Sequence, residues 1–168
     1  MTGTISPDQM FRAFEDICDT VEREKDYLSE LDGAIGDGDH GVNMAKCFRE
    51  VKKKLPEIQG KDFEGIIKGV GMVVLNSVGG AMGALYGTFF LRLAQASAGK
   101  TELSLGDLVQ MFQSAEKGIL EIGKATTGDK TLVDTLSPAV RAMEKAADEH
   151  GSLEDALREF ESAAKAGM

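Results

Sequence analysis

Three carboxylates and a histidine crowd into one short stretch, LDGAIGDGDHGVNM from Leu31 to Met44, where Asp32, Asp37, Asp39 and His40 are interleaved with Gly33, Gly36, Gly38 and Gly41. Asp and Gly form helices and strands poorly, so the stretch reads as a loop. Like charges this close repel one another unless a cation lies between them. Mg²⁺ suits that role, because it takes oxygen ligands, keeps some waters and is commonly shared between carboxylates and the phosphates of a substrate. The glycines allow sharp turns and a close approach of backbone to phosphate. Gly36, Gly38 and Gly41 also satisfy the dinucleotide fingerprint G-x-G-x-x-G, but Ser29 to Ile35 form no hydrophobic strand before it, and Asp37 and Asp39 would repel a bare pyrophosphate. A calcium-binding EF-hand counted from Asp37 needs Gly and Glu where Val42 and Phe48 stand. A solvated acidic turn without a ligand is the competing reading.

The rest of the chain must position that loop. Its 168 residues suffice for one domain with a single core, and the net charge of −9 makes nucleic acid and anionic membrane surfaces unsuitable partners, while a cation or a basic protein surface fits. Cys18 and Cys47 fall within amphipathic patterns as small buried thiols, which points to a reducing cytoplasm. The opening MTGTISPDQM has neither the basic nor the apolar region of a secretory signal. No charged residue occurs between Lys68 and Arg92, yet the glycines from Gly69 to Gly87 break this run, so two buried helices joined at a glycine turn are expected rather than a membrane span.

Hydrophobic periodicity is helical nearly throughout, with no strand alternation. The first helix starts at the cap Ser6, with Pro7 and a capping box to Gln9, buries Phe11, Phe14, Ile17, Cys18 and Val21, and ends before the acidic loop. A second runs from about Val42 to Leu55 and is stopped by Pro56. That puts the loop at a helix start, where amides and the helix dipole favour anions. Third and fourth helices span roughly Asp62 to Asn76 and Ala81 to Ala98. Between them Gly79 and Gly80 suit an anion-cradling turn, whereas Gly87 suits close helix packing. A fifth starts at the cap Ser104 and buries Leu105, Leu108, Phe112, Ala115 and Ile119, followed by the loop GKATTGDK, Gly123 to Lys130. The sixth begins between Thr131 and Pro138, with Pro138 suited to a first helical position and Gly151 to a left-handed cap beyond His150. The seventh starts at Ser152 and buries Leu153, Leu157 and Phe160.

Taken together and in order, LDGAIGDGDHGVNM, SVGGAMGALYGTFF from Ser77 to Phe90 and GDKTLVDTLSPA from Gly128 to Ala139 closely resemble the L subunit of dihydroxyacetone kinase. The resemblance implies an all-α fold, an up-and-down antiparallel barrel of about seven to eight helices with a nucleotide among the loops at one end. It implies a single nucleotide-binding domain over residues 1–168, with Asp32, Asp37 and Asp39 holding two Mg²⁺ ions that bridge the phosphates of ADP or ATP. These aspartates and His40 are the implied catalytic residues. Around the nucleotide it places His40, Gly41, Asn43 and Ser77, then the turn Gly79, Gly80, Ala81 and Met82, and finally Gly123, Thr131 and Leu132. Where the family usually has Ser and Pro, this chain has Met82 and Ala84, so a hydroxyl able to reach a phosphate is missing; its usual Met is Leu132, a volume-conserving change. The family continues past the position of Met168 with an Arg-containing, glycine-rich segment that covers the nucleotide.

The function implied is phosphoryl transfer to dihydroxyacetone, or a related short ketose or polyol, bound on a partner K subunit. Such transfer needs alignment and charge neutralisation more than covalent help. The nucleotide is either exchanged as ATP or rephosphorylated in place by a phosphoenolpyruvate-dependent phosphotransferase-system M subunit. A homodimer and a transcriptional regulator are further expected partners, in the cytoplasm. Two alternatives stand beside this one: an interaction module whose nucleotide state selects its partner, and a kinase domain for another carrier-delivered substrate.

Overall fold

The computed structural model describes residues 3–168, which form eight α-helices. They are α1 (Pro7–Arg23), α2 (Lys25–Gly33), α3 (His40–Ile58), α4 (Phe63–Ser77), α5 (Gly80–Ala96), α6 (Leu105–Gly123), α7 (Leu132–Asp148) and α8 (Leu153–Gly167). Among the described residues the extended pairing is a single bridge, Ile5 to Leu103. The expected all-α fold is observed.

From α2 onward each helix packs on the next in the chain, while α1 lies against α3 and α4. The apolar stripes meet in a main core, where Phe48 and Val51 of α3 join Phe63, Ile67 and Val70 of α4, Met111 of α6 and Met143 of α7, and in a smaller cluster of Ile119 of α6 with Val133, Leu136 and Val140 of α7. Phe14, Phe90, Phe89, Phe112 and Phe160 form a chain of ring contacts from α1 through α5 and α6 to α8, with centroids 4.6–6.1 Å apart. Such tilted aromatic pairs add roughly 0.5–1.5 kcal/mol each beyond their buried area. The uncharged run is the antiparallel pair α4 and α5, joined at Val78 and Gly79, and no helix among the described residues is long and apolar enough to cross a membrane. Gly87 serves packing as expected: a Cβ there would lie 2.9 Å from Leu75 Cβ. Cys18 and Cys47 are both buried free thiols.

Several boundaries differ from the sequence reading. The chain before the acidic loop makes two helices, broken at Glu24, and the second carries Leu31, Asp32 and Gly33 within its last turn. The loop proper is therefore only 34–39. Pro56 does not stop α3, which runs on to Ile58, because the proline lies on the exposed face while Leu55 and Ile58 are drawn into the core. Nor does Pro138 start α7. Thr131 caps that helix in a box with Asp134, and the buried Ser137 is an interior residue. Beyond α7 the left-handed residue is His150, φ 58°, rather than Gly151, whose N–H instead donates to Ala146 O at 2.8 Å. Ile17 and Leu157, expected in the core, are 38% and 40% exposed.

Alternation of helix direction collects the starts of α3, α5 and α7 and the ends of α2, α4, α6 and α8 at one end of the bundle. Three positive dipole ends share that face.

Candidate functional site

Asp32 comes from the last turn of α2, Asp37 from the loop, and Asp39 from the residue that precedes α3. One oxygen from each lies within 4.8 Å of the others, with Asp32 half-buried and Asp37 and Asp39 exposed. The loop is tightened by Gly36 N–H donating to Asp32 O at 2.6 Å, and the His40 amide donates to Asp32 Oδ2 at 3.3 Å, tying α2 to the start of α3. Two glycines permit this. A Cβ on Gly36 would stand 2.4 Å from Asp32 Oδ1; one on Gly41 would meet Lys25 O at 1.9 Å and Ser29 Oγ at 2.7 Å. Beneath Gly41 the Ser29 hydroxyl is buried without a hydrogen-bond partner.

Five of the eight helices carry a side-chain cap at their start, at Ser6, Asp62, Ser104, Thr131 and Ser152. The starts of α2, α3 and α5 have none, and those of α3 and α5 lie at the same end of the bundle. Asp39 is turned into αR geometry and does not cap α3, while α5 opens at Gly79 and at Gly80, whose φ is 68°. A Cβ on either glycine would meet nothing within 4 Å, and both residues are exposed. Uncapped amides at a helix start attract anions.

Beside these two starts lies a cleft of about 1190 Å³ bounded by α2, α5, α7 and the end of α8. Of the residues predicted from sequence, His40, Met82, Thr131 and Leu132 line it. Gly41 is buried beneath, Asn43 sits in the first turn of α3 with its N–H on Asp39 O at 2.9 Å, and Ala81 is exposed in the first turn of α5. Gly123 ends α6, where a Cβ would lie 3.5 Å from Leu85. Ser77 is placed elsewhere, at the edge of a separate groove of about 680 Å³ between α3 and α4. Sequence reasoning missed Tyr27, Leu31, Leu85, Tyr86, Lys130 and Gly167, all of which line the cleft. Tyr27 and Leu31 were signalled by their four-residue spacing running into the acidic loop; Gly167 had no local signal. It is a true close approach, since a Cβ there would lie 2.0 Å from Asp134 O, the carbonyl that Pro138 leaves without its helical donor.

The donor set is chemically consistent. Three carboxylates offer hard oxygen ligands, and with the open helix starts they match a magnesium–phosphate group better than a soft metal. Tyr86, Met82, Leu85 and Leu132 provide the apolar walls an aromatic base needs.

Residues 34–168 match the DAK2 domain. The chain is 44% identical over 147 residues to the ADP-binding subunit DhaL of the PEP-dependent dihydroxyacetone kinase of Escherichia coli K12, a match covering 88% of this chain and 70% of that protein. It is 36% identical to the ADP-binding subunit DhaL of the PTS-dependent enzyme of Lactococcus lactis, over 82% of this chain and 69% of the relative. In fold it is similar to the dihydroxyacetone kinase of C. freundii, solved in native form, with a TM-score of 0.79 at 22% identity over 99% of this chain and 29% of the other. The chain belongs to the DAK2 family of dihydroxyacetone kinase L subunits.

Proposed function

We propose that residues 1–168 form a nucleotide-bearing phosphotransferase unit that binds ADP or ATP with Mg²⁺ and passes a phosphoryl group to dihydroxyacetone, or a related short ketose, held by a partner K subunit. The observation that carries this is the meeting of three carboxylates within 4.8 Å with the uncapped starts of α3 and α5 beside one cleft. Asp32, Asp37 and Asp39 would hold the metal. When bound, Mg²⁺ neutralises phosphate charge and aligns the group transferred. The amides of Gly80, Ala81 and Met82 orient phosphate oxygens, and the His40 ring, half-buried at the cleft edge, donates a hydrogen bond to one of them. Met82, Leu85, Tyr86 and Leu132 enclose the base and exclude water from it.

The names of the relatives support a phosphotransferase-system protein as donor, with ADP rephosphorylated where it sits. Calorimetric titration of Mg²⁺ and ADP into the parent and Asp37→Ala tests the site. Binding by the parent and its loss in the variant is expected; unchanged Mg²⁺-dependent binding by Asp37→Ala would show that the site has been misassigned. Turnover with the K subunit by ATP alone, set against turnover that requires phosphoenolpyruvate and its carrier proteins, separates the two modes of supply.

A further inference from the structure

A second, smaller cavity adjoins the cleft. It measures about 150 Å³, and one wall is the run of rings from Phe89 on α5 through Phe112 on α6 to Phe160 on α8, with centroids 6.1 and 4.6 Å apart. Leu136, Ala139 and Ala164 complete an apolar lining. Three residues border both spaces, Tyr86 of α5 with Leu132 and Thr135 of α7. They therefore stand between cleft and cavity, and Tyr86 is the one of the three that carries a ring.

The place of Tyr86 along α5 gives this partition its meaning. Its side chain packs against the hydrophobic core, and burial pushes its phenol above the ordinary tyrosine range. Met82 stands one turn before it on the same helix face and lines the cleft with it. Gly80, at the uncapped start of α5, lies six residues before Tyr86, about 9 Å of helix rise. A ribose bridges a span of that order between a phosphate and its base. A phosphate on the first amides of α5 therefore brings the base to the Tyr86 ring.

We infer that Tyr86 determines which base the cleft accepts: its ring is the wall on which a planar base rests, and it closes the apolar cavity to that base. This rests on the nucleotide reading above. Removing the ring joins the cavity to the cleft. An apolar cavity of roughly this volume takes up a benzene molecule in other proteins, so the joined space admits a base bearing a phenyl-sized group.

Calorimetry tests this with ADP and with ADP analogues carrying a benzyl or phenyl group at N6, C2 or C8, each in excess Mg²⁺, on the parent, Tyr86→Phe, Tyr86→Leu and Tyr86→Ala. The quantity read is the affinity of each analogue relative to that of ADP on the same protein, which a general loss of stability does not move. For at least one analogue this ratio is expected to rise about tenfold or more from the parent to the Ala variant, as the added ring is buried in the opened cavity. Leu, which keeps apolar bulk and holds the fold if Ala does not, raises the ratio in the same direction by less. Phe keeps the parent's ratio, because the ring and not the hydroxyl closes the cavity. Ratios unchanged for all three analogues in folded Ala or Leu protein, or raised in Phe as in Ala, overturn the role of Tyr86 while leaving the nucleotide site standing. Absence of ADP binding in the parent removes the nucleotide reading itself, and this inference with it.

Discussion

Asp37→Asn should stabilise the protein in the absence of metal and abolish its stabilisation by metal. The carboxylate oxygens of Asp32, Asp37 and Asp39 lie within 4.8 Å of one another. At that distance a like-charge pair in water repels by about 0.9 kcal/mol, and the ~8 Å Debye length at physiological salt reduces this to about 0.5 kcal/mol. Asp37 takes part in two such pairs, so removing its charge relieves about 1 kcal/mol. Asparagine keeps the oxygen that accepts the Asp39 amide at 3.4 Å, which leaves the loop its internal bond. For a chain of this length the unfolding entropy is about 0.35 kcal/mol/K, so the variant should melt about 3 °C higher. Differential scanning calorimetry in chelator at low and high salt reads this directly, and the gain should shrink as salt rises. Excess Mg²⁺ should raise the melting temperature of the parent and hardly move that of the variant. A variant that melts below the parent in chelator, or that gains as much from Mg²⁺, refutes the reasoning, for the carboxylates would then be held by something other than an awaited cation.

Gly41→Ala sets a methyl 1.9 Å from Lys25 O, so α2 and α3 must separate and the His40–Asp32 bond must open. A loss of about 2–3 kcal/mol is expected by chemical denaturation, together with loss of metal-induced stabilisation, and an unchanged midpoint would contradict the packing described. The thiols of Cys18 and Cys47 are pushed up to about 11 by burial, so neither should react measurably with a disulfide reagent near neutral pH until the protein is unfolded; prompt labelling of the native protein would show that α1 and α3 open. Asp107, held at about 2 by Lys100 and by the hydroxyl and amide of Ser104, contributes stability that is complete above the ordinary carboxylate range and is lost as pH falls from about 4 towards 2. Asp107→Asn should therefore cost about 1 kcal/mol at neutral pH and flatten the acid limb of stability over that window, as followed by circular dichroism.

Most helices were legible because their signals are local. Capping residues at Ser6, Ser104 and Ser152 and the apolar spacing behind them depend only on neighbours a turn away. Proline misled twice for the same physical reason. Its cost is one hydrogen bond and one steric conflict, and burial of Leu55 and Ile58 around Pro56, or of Leu136, Ser137 and Ala139 around Pro138, exceeds that cost. The left-handed position after α7 was assigned to Gly151 on propensity, but the Gly151 amide turns back to Ala146 and leaves His150 to take the positive φ. The acidic loop was visible as chemistry, yet its length was overestimated, because α2 extends through Asp32 once its apolar side has α3 to pack against.

Alone, the sequence determined that the chain is helical, that it carries three closely spaced carboxylates beside glycines at a helix start, and which family it resembles, since each of these is written in residue type and short spacing. Only the tertiary structure decided that the starts of α3 and α5 open uncapped beside the same cleft, that Ser77 stands outside it, and that Tyr27, Lys130 and Gly167 stand at its walls. The alternating directions of eight packed helices carry residues far apart in the chain to one end of the bundle, and no local pattern records where such distant partners will meet.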